Sequence, residues 1–431
     1  MTRPLALCAA FALLAAIGRA QPPAAPAEPA AAPPARQLTL QETSCFWCHG
    51  QLDGAALEPT RHLEDIHYLR GLGCADCHGG DPAAGLDGDP MAAHDEAKGF
   101  RGRPTRLQIP AFCARCHSDP AFMKRFDPDA RVDQLAEYQT SVHGEKNAAG
   151  DEKPAVCIDC HGVHGILAVS DPRAGVHPAK VADTCARCHA DPAFMAPYGI
   201  PTDQLGEYRE SVHAAALYDR GDTSAPTCND CHGNHGAVPP GVDSVANVCG
   251  TCHLREATLF RETEQKFKID LSTCIRCLVC HGNHAVLPPT SEMIGVGPKS
   301  TCTPCHKPGE PAYEHSARMG EASRNLARRI EEAERGLRQA ERKGMEVGPD
   351  LFALKSARDQ LVDLRVLSHS FDVERYLGTA AEGLRIADQG VAAGESASRE
   401  LQFRRKGLAA SLLVLAAIIA ALLLKIRQME R

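Results

Sequence analysis

The pattern Cys-x-x-Cys-His constrains this chain more than any other feature, because it occurs nine times between residues 45 and 306. We number the copies motif 1 to motif 9 in chain order. Their cysteine pairs are Cys45/Cys48, Cys74/Cys77, Cys113/Cys116, Cys157/Cys160, Cys185/Cys188, Cys228/Cys231, Cys249/Cys252, Cys277/Cys280 and Cys302/Cys305. The histidines that follow the second cysteines are His49, His78, His117, His161, His189, His232, His253, His281 and His306.

Two thiols at this spacing can form thioethers with the two vinyl groups on one edge of a porphyrin, and the adjacent imidazole can then bind the iron. The pattern therefore predicts nine covalently bound c-type haems, with the motif histidines as proximal ligands of the iron. Zinc knuckles and thioredoxin-like redox pairs also contain Cys-x-x-Cys, but neither needs a histidine at a fixed position after the second cysteine. Nine copies with that histidine favour haem.

The composition agrees with a fold that is ordered by cofactors. The motifs use all but two of the 20 cysteines, Cys8 and Cys274, so the chain has no framework of structural disulfides. Aromatic residues make up 5% of the chain, which is too few for an ordinary large core. We expect haems, short helices and loops in its place. The net charge of −7 gives no sign of nucleic-acid binding.

The N-terminal residues predict export. Residues 1–20 read as a signal peptide, with Arg3 before an apolar run at 5–17 and a Gly18-Arg19-Ala20 cleavage site. Cys8 would be removed with it. Residues 21–36 are rich in alanine and proline and read as a linker. Export fits the haem interpretation, because c-type haem is attached outside the bacterial cytoplasm.

Residues 37–309 form the predicted nine-haem domain, which contains an internal repeat at about 113–184, 185–248 and 249–306. The first two copies share Cys-Ala-Arg-Cys-His, Asp-Pro-Ala-Phe-Met, Asp-Gln-Leu-x-Glu-Tyr and Ser-Val-His. They end in Cys-x-Asp-Cys-His-Gly-x-His. The third copy lacks Ser-Val-His, and this loss would leave one haem five-coordinate if the histidine had a fixed partner. Cys274 precedes motif 8 and is interpreted as a spare thiol, although a Cys274/Cys280 attachment pair is the alternative.

The C-terminal residues predict long helices. Residues 310–400 lose cysteine and carry apolar residues at alternating spacings of four and three, typical of an amphipathic helical hairpin or stem. Residues 405–425 predict a transmembrane anchor, because 408–424 are apolar apart from Ser411 and have basic residues on both sides. Residues 426–431 would be cytoplasmic. This arrangement predicts a bacterial inner-membrane protein with its haem domain in the periplasm.

Eleven other histidines are candidates for the distal side of the irons, enough to give every iron two histidine ligands. They are His62, His67, His94, His143, His164, His177, His213, His235, His284, His315 and His369. The recurrence of His143 and His213, and of His164, His235 and His284, favours ligation, whereas His62, His177, His315 and His369 occur singly. Met123 and Met195 are interpreted as packing residues rather than ligands.

The Cys-x-x-Cys-His-Gly-x-His runs, the Ser-Val-His element and the late helices with His369 resemble the multihaem c-type cytochromes. The superfamily is the one that includes octahaem hydroxylamine oxidoreductases and their tetrahaem partner cytochromes. The resemblance covers about residues 40–390. It implies closely spaced haem pairs around sparse helices, with a helical C-terminal region. This chain has nine motifs instead of eight. Tyr376 lies in the kind of helix that carries a haem-linked tyrosine in the oxidoreductases, although a single helical tyrosine usually packs.

The predicted fold is mainly α: a loop-rich multihaem array, then a long helical hairpin and one transmembrane helix. The predicted function is electron transfer between a membrane quinol-linked donor and a periplasmic or extracellular acceptor. The alternative is an oxidoreductase that acts on small nitrogen or sulfur compounds at one open haem. The expected partners are a quinol-oxidising or cytochrome partner in the membrane and other redox proteins, without nucleic acid. The helical stem makes a homo-oligomer an open alternative.

Overall fold

The computed structural model describes residues 43–49, 62–85, 89–237, 248–267 and 277–430. Within these ranges the chain is mainly helical and has no β-strand, which confirms the predicted fold class. The predicted signal peptide, the linker, Cys8 and Cys274 lie outside the described residues.

The chain divides into two compact units. One comprises Met1–Pro104 and Ala111–Leu135 and carries motifs 1 to 3, and the other comprises Thr105–Pro110 and Ala136–Arg431 and carries motifs 4 to 9. The α-helices before residue 310 are Ser44–His49, Ile66–Leu69, Cys74–His78, Ile109–His117, Pro120–Met123, Gln134–Thr140, Val142–Ala148, Cys157–His161, Pro178–His189, Pro192–Met195, Gln204–Arg209, Val212–Ala214, Cys228–His232, Leu254–Phe267 and Cys277–His281. Shorter 3-10 turns are Pro90–His94, Glu96–Lys98, Arg106–Gln108, Ala196–Tyr198 and Ser368–Ser370, and Ala215–Asp219 is a π-helical turn.

Several motifs form a one-turn helix that begins at the first cysteine and ends at the histidine. In Cys157–His161 the start is fixed by Asp159, whose carboxylate accepts a hydrogen bond of 2.7 Å from the backbone N–H of Val156. The helix ends at Gly162, whose φ of 86° lies in the left-handed region that favours glycine. The Cys-x-Asp-Cys-His-Gly sequence thus encodes both ends of the turn and holds the two thiols and the imidazole together.

The internal repeat is visible as repeated hydrogen bonds. The hydroxyl oxygens of Ser141 and Ser211 are buried and accept from the backbone N–H groups of Gly144 and Ala214, so each serine caps the helix that contains its Ser-Val-His histidine. The preceding tyrosines are equivalent as well. The hydroxyl of Tyr138 donates to the carbonyl of Ala155, and that of Tyr208 to the carbonyl of Pro226, both at 3.0 Å. Each repeat therefore ties its helical element to the residue two positions before a motif.

Three long helices follow motif 9: the first C-terminal helix (Pro311–Arg342), the second (Gly348–Leu367) and the third (Val373–Met429). The apolar seam predicted from the sequence belongs to the largest core cluster of the described residues. Its members include Leu326, Ile330, Ala333, Leu337, Ala340, Leu354, Ala357 and Leu364. Among the described residues of the motif-bearing segment there are two small clusters, one of Ala182, Tyr208 and Ala214 and one of Ala216, Leu217 and Ala225. Apolar packing is therefore concentrated in the C-terminal helices.

The third C-terminal helix approaches its neighbours closely at glycines. A Cβ atom added to Gly383 would lie 2.8 Å from Cδ2 of Leu326, and one added to Gly394 would lie 3.2 Å from the backbone of Gly336. At Gly394 the lack of a side chain lets two helix backbones approach each other, and at Gly383 it leaves room for the side chain of Leu326.

The third C-terminal helix continues without a break from the core into the predicted anchor. Residues 408–424 are exposed along their whole length, and this part of the helix is apolar and long enough to cross a membrane. An exposed apolar helix of this length suggests membrane association.

Candidate haem sites

Seven motif histidines each face a second histidine from elsewhere in the chain. The ring centroids of these pairs are separated by 5.8–6.4 Å. The pairs are His49 with His94 at 5.8 Å, His117 with His67 at 5.9 Å, His161 with His235 at 6.2 Å, His189 with His143 at 6.1 Å, His232 with His284 at 6.1 Å, His253 with His213 at 6.4 Å, and His281 with His369 at 6.1 Å.

This spacing fits one iron between two imidazoles. A metal–imidazole nitrogen bond is about 2.0 Å, and a ring nitrogen lies about 1.1 Å from the ring centre, so two axial rings on one iron have centroids about 6 Å apart. Directly packed rings can be closer, as between His94 and Phe100 at 4.7 Å. The measured separations therefore suit the predicted haems, with a proximal and a distal histidine at each of the seven motifs.

The distal partners come from recurring elements. His143 and His213, from the two Ser-Val-His elements, face motifs 5 and 7. His235 and His284, which follow motifs 6 and 8, face motifs 4 and 6. Backbone hydrogen bonds from Val142 to Ala237 and from Val212 to Val286 join these two kinds of element. One copy of the repeat thereby supplies ligand candidates to its neighbours.

The other three partners are outside the repeat. His94 ends the 3-10 turn Pro90–His94, and His67 lies in the helix Ile66–Leu69. His369 lies in the turn between the second and third C-terminal helices. Although His369 occurs only once as a sequence element, it faces motif 8. The C-terminal helices therefore position a side chain against the motif-bearing segment.

Burial favours the neutral form of several of these imidazoles. It lowers the pKa of His143, and the neighbouring His189 lowers it further. Burial likewise lowers the pKa of His189, His213 and His281. The neutral imidazole is the form that binds a metal, so these environments suit ligation.

Carboxylates that contact Nδ1 orient several of the histidine rings. Nδ1 of His67 contacts the carboxylate of Asp65 at 3.0 Å, and Nδ1 of His284 contacts that of Glu207 at 3.3 Å. The equivalent pair in the other repeat copy is His235 and Glu137, at 3.8 Å. A carboxylate here fixes the ring orientation and raises the basicity of the opposite nitrogen.

Two other rings use backbone carbonyls. Nδ1 of His78 lies 2.9 Å from the carbonyl oxygen of Gly102, and Nδ1 of His369 lies 2.9 Å from that of Val366. None of these carboxylate and carbonyl partners of Nδ1 was predicted from the sequence. The recurrence of Glu137 and Glu207 in Asp-Gln-Leu-x-Glu-Tyr was the signal that could have shown them.

The thiols of consecutive motifs lie close together within each unit. In the first unit a side-chain interaction with Cys74 lowers the pKa of Cys45, and burial, followed by the charge of the neighbouring Cys116, raises the pKa of Cys77. In the second unit the adjacent thiols are Cys160 with Cys188, Cys185 with Cys228, Cys231 with Cys252, Cys249 with Cys277, and Cys280 with Cys302. Motifs 1 to 3, and separately motifs 4 to 9, are therefore neighbours in space in the order of the sequence.

Cys48, the second thiol of motif 1, is half-buried in the helix Ser44–His49, directly before His49. The cysteine of motif 1 that interacts with motif 2 is Cys45. Attachment of haem to Cys48, as to the other motif cysteines, stays a prediction from the motif spacing.

At two places an arginine inside one motif donates a hydrogen bond to the backbone of the preceding motif. The guanidinium of Arg115, inside motif 3, donates to the carbonyl of Cys77 in motif 2. The guanidinium of Arg187, at the same place in motif 5, donates to the carbonyl of Asp159 in motif 4. The Cys-Ala-Arg-Cys-His sequence thus fixes the approach of one motif to the preceding one.

The ring planes of the histidine pairs fall into two groups that alternate along the chain. At motifs 4, 6 and 8 the planes are 10°, 16° and 15° apart. At motifs 1, 3, 5 and 7 they are 60°, 85°, 58° and 44° apart. Neighbouring motifs therefore offer different axial environments.

The structure places the remaining candidates elsewhere. The ring of His62 packs near Tyr68, at 5.1 Å. His177 caps the helix Pro178–His189 through Nδ1, and His315 is exposed on the first C-terminal helix. His164 is half-buried in the turn that follows motif 4. For His62, His177 and His315 the described structure shows no motif histidine at axial distance.

Met195 and Tyr376, which the sequence left as further candidates, behave as packing residues. Met195 and Tyr376 are buried, and the hydroxyl of Tyr376 bonds the side chain of Ser323 in the helical core. In the third repeat copy, which lacks Ser-Val-His, two of the three motif histidines, His253 and His281, face a second histidine. The loss of that element therefore leaves neither of these motifs without a partner imidazole. Met123 lies at the end of the helix Pro120–Met123.

Known proteins give a limited comparison. No family model matches the chain, and no solved structure matches it. A C-type polyheme cytochrome, OmcC of Geobacter sulfurreducens, is 26% identical over 144 residues, which are 31% of this chain and 16% of that protein. The chain thus matches only a small part of the relative's length. This likeness supports a multihaem c-type cytochrome that binds c-type haem.

Proposed function

We propose that this protein is a membrane-anchored, periplasmic cytochrome that carries electrons through nine c-type haems. It would link a quinol-oxidising or cytochrome partner in the membrane to a periplasmic or extracellular acceptor. When bound, the haems supply one-electron redox chemistry, and the chain attaches, orders and tunes them.

The observation that carries the proposal is the set of seven histidine pairs. An iron with two imidazole ligands is low-spin and saturated, which suits electron transfer and leaves no position for a substrate. The polyheme cytochrome relative supports the same class of function. Chemistry on a small nitrogen or sulfur compound finds no support at these seven motifs.

The thiol contacts give the path its order. Because the thiols would anchor the porphyrins, thiols that lie near each other would bring the edges of consecutive haems together. In the second unit this holds from Cys160 and Cys188 through to Cys280 and Cys302. An electron in this unit would pass through the haems in chain order, from motif 4 to motif 9 or in reverse.

The exposed apolar part of the third C-terminal helix supports the anchor. Attachment of haem outside the cytoplasm places the motif-bearing segment in the periplasm, and the residues after the span in the cytoplasm. The anchor would hold the haem array beside a membrane donor.

The test is expression of the full chain in a bacterium that matures c-type cytochromes. Peptide mass spectrometry should find haem on all nine motifs, and the protein should remain in the membrane fraction. A variant that stops after Gln402 should move to the soluble periplasmic fraction with its haems intact. Motifs without haem, or a full chain that is soluble, would contradict the proposal.

Electron flow is tested with the full chain in membranes. Addition of a quinol to membranes that contain the partner should reduce the haems, and an external electron acceptor should reoxidise them. The path near motif 8 is checked in the same assay with the His369→Ala chain. This variant keeps all nine motif histidines, and its membranes contain the same partner. Haems that no quinol-linked donor reduces would contradict the assigned donor.

A further inference from the structure

Motif 9 differs from the seven paired motifs. All 20 histidines of the chain lie within the described residues. Among those residues no second imidazole lies at axial distance from His306. The imidazole of His306 instead contacts the carboxylate of Glu310.

Motif 9 is also exposed to solvent. His306 is 38% exposed and Cys305 is exposed, so this motif lies at the protein surface. Its thiols interact with Cys280 of motif 8, and it is the last motif of the series. An iron held here would lie at one end of the path and near solvent.

The near side is held by a carboxylate. Nδ1 of His306 lies 3.3 Å from Oε2 of Glu310, four residues later and directly before the first C-terminal helix, and the same carboxylate accepts from the backbone N–H of Lys307 at 3.2 Å. The ammonium group of Lys307 donates to the carbonyls of Thr303 and Pro304, so it is engaged within the motif. A carboxylate on Nδ1 makes the imidazole a stronger donor to its metal, and such a donor can hold an iron without a second protein ligand.

We propose that His306 holds the ninth haem without a protein ligand on the opposite side, so that this iron binds a small exogenous ligand. The ligand class is a small molecule or anion with a lone pair, such as carbon monoxide, nitric oxide, cyanide or water. This inference rests on the proposed attachment of haem to motif 9. It places the ligand site at motif 9, at the end of the electron path, and not at motif 7 or 8, which lie on either side of the missing Ser-Val-His element.

The experiment uses the full holoprotein, with carbon monoxide as the probe of the reduced form. We expect the reduced protein to bind carbon monoxide, and to show a resonance Raman band for iron–histidine stretching before its addition, because only a five-coordinate ferrous haem shows that band. Glu310→Gln should lower the frequency of the band, since the histidine becomes a weaker donor. Rescue of the frequency by Glu310→Asp would be consistent with a carboxylate effect.

A matched control is Glu207→Gln, because Glu207 contacts Nδ1 of His284 at the same distance of 3.3 Å, but at a paired motif. This variant should leave the stretching band unchanged. His369→Ala is the positive control: removal of the imidazole that faces motif 8 should raise the binding by one carbon monoxide molecule per chain.

The outcomes separate this inference from the proposed function. Nine attached haems that are all low-spin and bind no carbon monoxide would overturn the open site and leave the electron carrier standing. A near-infrared sulfur-to-iron band would also overturn it, because it indicates a methionine ligand. A motif 9 peptide without haem would overturn the inference together with the count of nine.

Discussion

The imidazole rings of His281 and His369 face each other with their centroids 6.1 Å apart and their planes 15° from parallel. His281 belongs to motif 8, whereas His369 lies in the turn between two long helices whose core contains no motif. The pair connects the motif-bearing segment of this unit to the packed C-terminal helices. These helices can therefore fix the distal side of a covalently attached cofactor.

Replacement of His369 should open motif 8. In His369→Ala the iron at this motif loses its sixth ligand, so one low-spin signal should be replaced by a high-spin signal in electron paramagnetic resonance of the oxidised protein. His315→Ala is the control, since His315 is exposed on a neighbouring helix. An unchanged low-spin spectrum for His369→Ala would show that this pair does not hold an iron.

The alternation of ring planes should give two classes of low-spin signal. Parallel axial planes separate the energies of the iron orbitals that interact with them and give a rhombic spectrum. Strongly tilted planes leave these orbitals nearly equal and give a signal with a large maximum g-value. His235→Ala, at a 10° pair, should remove a rhombic signal, and His67→Ala, at an 85° pair, a large-g signal. Loss of the same class of signal from both variants would contradict the geometry.

The carboxylate of Glu207 should lower the reduction potential at motif 6. Its charge makes His284 more basic, which favours the ferric state. The pair is about a third exposed, so its energy is expected to be that of a partly screened ion pair. Glu207→Gln should therefore raise the potential of this haem by roughly 10–40 mV. A spectroelectrochemical titration measures it, with the exposed Glu210→Gln as the control. A fall in potential would reverse the assigned role.

Close helix packing should make Gly394 sensitive to substitution. Gly394→Val places methyl groups against the backbone of Gly336 and Leu337, at an expected cost of about 1–3 kcal/mol. Amide exchange in residues 326–340 of the intact holoprotein should become about 5–150-fold faster. Gly378→Ala, on the same helix with no atom within 4 Å of its added Cβ, should leave this exchange unchanged or slower. Equal effects of the two variants would show that close packing is not the cause.

Much of the architecture followed from the sequence because its causes are local. The Cys-x-x-Cys-His spacing predicts where haem is attached, and the aspartate and glycine of Cys157–Gly162 define the ends of a one-turn helix. The alternating apolar spacing from Leu326 to Ala340 predicted the buried seam, since 3.6 residues per turn bring these positions onto one face. The mainly helical fold class follows from the same patterns.

The distal side of each site was decided only by the tertiary structure. His143 and His235 recur in the sequence, but recurrence does not state which motif each one faces. His369 occurs singly and yet faces motif 8, whereas His315 and His177 do not face a motif histidine. The difference at motif 9 was equally hidden, because the sequence pointed to the missing Ser-Val-His element between motifs 7 and 8 instead. Attachment of haem depends on neighbours in the chain, but the opposite side of an iron is filled by whichever residue the fold brings there through space.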